Sequence, residues 1–111
     1  LDPATRRGEA ALVLEGTIRL GRADFPGGRE SFEAALRAAP DSVSARAGLA
    51  RALAGGGDAA GAERLWAEIL RREPTNNEAL AALAGLARPG SPRAATARAA
   101  LETVIAAAPT E

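Results

Sequence analysis

Three prolines, Pro40, Pro74 and Pro109, stand 34 and 35 residues apart, and each closes a segment of the same design. Twelve residues before each proline lies a small residue (Gly28, Ala62, Ala97), and four residues after that a bulky apolar one (Phe32, Trp66, Leu101). A chain that repeats itself at this period is constrained in how it folds. Each unit is too short to bury its own apolar face, so neighbouring units stack and bury one another's.

Each unit reads as a pair of helices. Ala, Leu, Arg and Glu dominate the chain, and these are strong helix formers. Leu49, Leu53, Ala62, Leu65, Trp66 and Ile69 recur at three- and four-residue steps, which places them on single helix faces. Small residues at Ala50, Ala62, Ala84 and Ala97 let the helices of a pair touch. Start signals agree: Asp41-Ser42 and Asp58 are N-cap types, Thr75-Asn-Asn-Glu78 reads as a capping box, and Pro26 and Pro92 suit first helical turns. The spacing predicts helices over 6–22, 27–39, 43–55, 59–72, 76–88 and 92–107.

Segment two carries Leu49-Ala50, then Leu53, Gly57-Asp58 at a turn, Ala62, Trp66 and Pro74. Segment one has Ala23-Asp24-Phe25 at its turn, then Gly28, Phe32, Ala35 and Pro40. Segment three has Leu80, Leu83-Ala84, a turn one residue longer at Arg88–Pro92, then Ala97, Leu101, Val104 and Pro109. This pattern resembles the tetratricopeptide repeat. The resemblance implies an all-α fold of antiparallel helical hairpins stacked as a right-handed superhelix, an α-solenoid of about three repeats and six helices. The expected divisions are an N-terminal tail over 1–8, which looks like the end of a preceding repeat, and repeats at 9–42, 43–76 and 77–111. The expected repeat core is Gly28, Phe32, Ala35, Pro40, Leu49, Ala50, Leu53, Ala62, Trp66, Ile69, Pro74, Leu80, Leu83, Ala84, Ala97, Leu101, Val104 and Pro109.

The first helix departs from the pattern. Alignment on Gly16 puts Glu15 and Arg19 at positions normally apolar and inward, where two buried charges cost several kcal/mol unless well paired. A rotation by one residue turns Ala11, Leu14 and Ile18 inward instead, and that rotation is the expectation. At the other end, Leu101, Val104 and Ile105 give the last helix an apolar face with few charges. A repeat array needs polar caps, so a continuing chain, a partner or self-association through this helix is expected to cover it.

Composition narrows the chemistry. The chain lacks Cys, His, Lys, Tyr and Met. Disulfides, thiolate metal sites, imidazole bases and amine nucleophiles are therefore absent. Glu63 and Glu68 lie five apart on different helix faces, and Glu30 and Glu33 read as a solvated helix side. Gly55-Gly-Gly57 reads as an inter-helix turn, since no Lys or Ser/Thr of a phosphate loop follows. Neither enzyme nor cofactor is expected. No apolar run nears the ~18 residues of a membrane span. The 14 basic residues balance 14 acidic ones, and the first-helix positions repeat no polar code, so nucleic acid is not the expected partner.

In this family the first helices of successive repeats line a concave groove that takes a peptide or partner helix. Transferred to this sequence, the groove positions are Ser44, Ala47, Arg51, Ala54, Glu78, Ala81, Gly85 and Arg88. The rotated first helix adds Leu12, Gly16 and Arg19. Arg19, Arg51 and Arg88 read either as solvated helix faces or as a surface favouring an acidic, carboxylate-bearing segment. A chaperone-tail clamp is argued against: its cation and amide positions hold Val13 and Thr17 (or Leu12 and Gly16), Gly48, Glu78 and Ala82. The expected function is a protein–protein interaction scaffold. The alternative is a self-association or spacer module in a larger bacterial protein, in the cytoplasm or the periplasm.

Overall fold

A computed structural model describes residues 2–107. Pro109 lies outside the described residues. Among them are six helices and no strand: α1 (Pro3–Gly21), α2 (Phe25–Ala38), α3 (Val43–Gly55), α4 (Ala59–Arg72), α5 (Asn77–Leu86) and α6 (Ala94–Ala107). The predicted spans for α3 and α4 coincide with these bounds. The longest difference at a start is in α1, which runs back to Pro3. Asp2 caps it by accepting the Thr5 amide at 2.7 Å, and Pro3 costs no hydrogen bond in a first turn. Asp24, Ser42 and Asn76 cap α2, α3 and α5 in the same way, each bonding the amide three residues on.

The chain forms two compact units, one up to Asp58 and one from Ala59 onward. In the first, α2 packs against both α1 and α3. On α1, Gly16 meets Phe32 and Leu20 meets Gly28; on α3, Gly48 meets Phe32 and Gly55 meets Phe25. Both sets of pairs run in opposite senses along the two helices, so α2 is antiparallel to each neighbour. The ring of Phe32 is fully buried. It lies on bare backbone from two sides: a methyl on Gly16 would fall 2.7 Å from its Cζ, and one on Gly48 would fall 2.1 Å from its Cε1. The tight turn between α1 and α2 is made by Ala23 at φ 60. Ser42 donates its hydroxyl to Glu9, tying the start of α3 to α1.

In the second unit α4, α5 and α6 pack together. Ala62, Ile69, Leu70, Ala79, Leu83 and Ala97 are at most 1 % exposed. Trp66 and Val104 are buried as well, whereas Leu80 and Leu101 are half-buried. The longer turn before α6 carries Arg93, whose guanidinium holds Glu63 on α4 at 2.7 Å and 2.8 Å. Glu63 is the charged side chain that goes deepest in this unit, at 6 % exposed. It is there because it is paired.

Three expected core positions are corrected. Ala84 is exposed; the inward side of α5 is taken by Ala79 and Leu83 instead. Pro40 and Pro74 are exposed too. They follow the ends of α2 and α4, where a residue without an amide hydrogen stops a helix.

Candidate partner-binding surface

The face of α1 turned into the first unit holds Glu9, Leu12, Gly16 and Leu20, with Gly16 buried under Phe32. The expected one-residue rotation is therefore overturned: Ala11 is exposed, Leu14 is 61 % exposed and Ile18 is 49 % exposed. The reason is steric. Gly16 is the α1 residue against which the Phe32 ring closes, and that close approach sets the helix's rotation. The charge argument behind the rotation fails because Glu15 and Arg19 are not buried. Their side chains keep 47 % and 36 % of their exposure and pair with each other at 2.8 Å. Arg19 also donates to the Gly27 carbonyl at 3.2 Å, bracing α1 on the start of α2. Gly16 is consequently an interior residue, and Leu12 is half-buried on the same side of the helix.

On α3 the expected positions separate. Ser44, Arg51 and Ala54 are exposed, whereas Ala47 is 5 % exposed and unavailable to a ligand. Arg51 has a partner within the protein. Behind this stripe Ala45, Leu49, Ala50, Ala52 and Leu53 form the buried side. On α5, Glu78, Ala81 and Gly85 are exposed, with Arg88 exposed just beyond the helix end. Both helices thus turn small side chains outward, punctuated by one or two charges. Such a surface lets a partner approach the helix backbone closely, and ordering it costs little side-chain entropy.

One feature of the surface was not anticipated. Ala11, Leu14, Glu15, Ile18, Arg19 and Arg22 line a shallow depression of about 400 Å³ along the outer side of α1. Its signal in the sequence is the equivalence of these residues, one 34-residue period back, to Ala45, Gly48, Leu49, Ala52, Leu53 and Gly56 on α3. Among the described residues no group of three or more metal-ligating side chains gathers, and no helix is long and apolar enough to cross a membrane.

With paired antiparallel helices, a 34-residue period and small-on-large contacts in place, comparison with known families is decisive. A model of the tetratricopeptide repeat matches residues 19–87. The chain belongs to the tetratricopeptide repeat family. The match runs from the end of α1 to the turn after α5. No curated protein and no solved structure gives a significant match. Tetratricopeptide repeats generally serve as non-catalytic modules of protein–protein interaction.

Proposed function

We propose that this tetratricopeptide chain is a non-catalytic scaffold that holds a segment of another protein against the outward face of α3. The observation that carries the reading is the α3 stripe of Ser44, Arg51 and Ala54, exposed on a helix whose other side is closely packed. Such a stripe offers one guanidinium between two small residues. A guanidinium presents donors in a fixed fork that matches a carboxylate, so an acidic segment is the favoured guest. Arg19 pairs with Glu15 and donates to Gly27. Arg51 also has a partner within the protein, so an acidic guest reaches its guanidinium by competing with that partner. Arg51 is preferred because it stands on the exposed side of α3.

The test is fluorescence anisotropy with labelled peptides of acidic, neutral and basic composition. The acidic set should bind best, and Arg51→Ala should weaken it by about tenfold, the order expected for one charge-assisted hydrogen bond. Equal binding of all three sets, or an Arg51→Ala variant that binds as the parent does, contradicts the reading.

A further inference from the structure

We draw no further inference here: the strongest candidate, the small pocket where Phe25, Pro26 and Arg29 of α2 meet Ala52 and Leu53 of α3, carries nothing, because Arg29 is already paired with Glu33 and nothing in the structure shows what covers it.

Discussion

The ring of Phe32 rests directly on the backbone of Gly48, one repeat further along, so that a methyl group on that glycine would lie 2.1 Å from Cε1, 2.4 Å from Cζ and 2.5 Å from Cδ1. With Gly16 pressing from the other side and no exposure left, the ring has nowhere to withdraw. Gly48→Ala gains about 1 kcal/mol of helix propensity but forces overpacking that costs about 1–3 kcal/mol in a closed core. The overlap involves three ring atoms, so the cost should win. Urea denaturation of Gly48→Ala should show a net loss of up to about 2 kcal/mol; a variant more stable than the parent, as propensity alone would make it, would mean the ring is not held there.

Gly8 provides the opposite case. It sits within α1 with nothing inside 4 Å of where a methyl would go. Only the propensity term acts, and Gly8→Ala should stabilise the fold by about 0.5–1 kcal/mol. The same substitution thus carries opposite signs at two helical glycines. A destabilised Gly8→Ala would show that α1 is packed differently from the account above.

Much of this architecture is legible in the amino-acid order. The proline period and the Gly28–Phe32, Ala62–Trp66 and Ala97–Leu101 pairs are local signals that survive without knowledge of neighbours, and the capping residues Ser42 and Asp58 stand immediately before α3 and α4. The rotation of α1 was not legible. Leu12, Val13 and Leu14 are consecutive, so apolar residues lie on every side of the helix and its periodicity selects no face. What selects it is Gly16 against Phe32, a contact 16 residues apart in sequence whose importance shows only when the ring is seen on the backbone. Ala84 and Ala47 exchanged their expected environments for a related reason. Alanine is accepted equally well inside and outside a helix, and its chemistry gives no signal of which side it will occupy.

The Glu63–Arg93 pair makes a second kind of prediction. Glu63 is 7 % exposed at its side chain and Arg93 33 %, so removing the cation strands a carboxylate that water reaches poorly. Stranding one member of a buried pair costs about 3–5 kcal/mol, and the exposure of Arg93 lowers that toward about 1–3 kcal/mol. Arg93→Ala should fall in that range by thermal or urea denaturation. Adding Glu63→Leu should recover part of the loss, because the stranded charge is gone. A double variant that is worse by the full sum of the single effects would show that the two residues act separately.

At the other terminus, the backbone and side-chain hydrogen bonds from Thr5 hold the Asp2 carboxyl below its usual value of 3.8. A carboxyl lowered on folding contributes fully above its unfolded value and loses that contribution as pH falls through the folded one. The first turn of α1 should therefore be protected at neutral pH and fray as pH drops below 3.8. Amide exchange at Thr5 should quicken over that window relative to Thr17, after correction for intrinsic rates. Asp2→Ala should abolish the difference, and a pH-independent ratio in the parent would contradict the cap.

The claim on which the functional reading rests is that a guest meets the outward stripe of α3. Its most direct test is to map amide chemical shifts by NMR while the acidic peptide of highest affinity is added. The account predicts changes concentrated around Ser44, Arg51 and Ala54, with Ala50 and Phe32 behind them little altered. Shifts confined to Leu14 and Ile18 on α1, or saturable binding that leaves the α3 stripe unmoved, would contradict it.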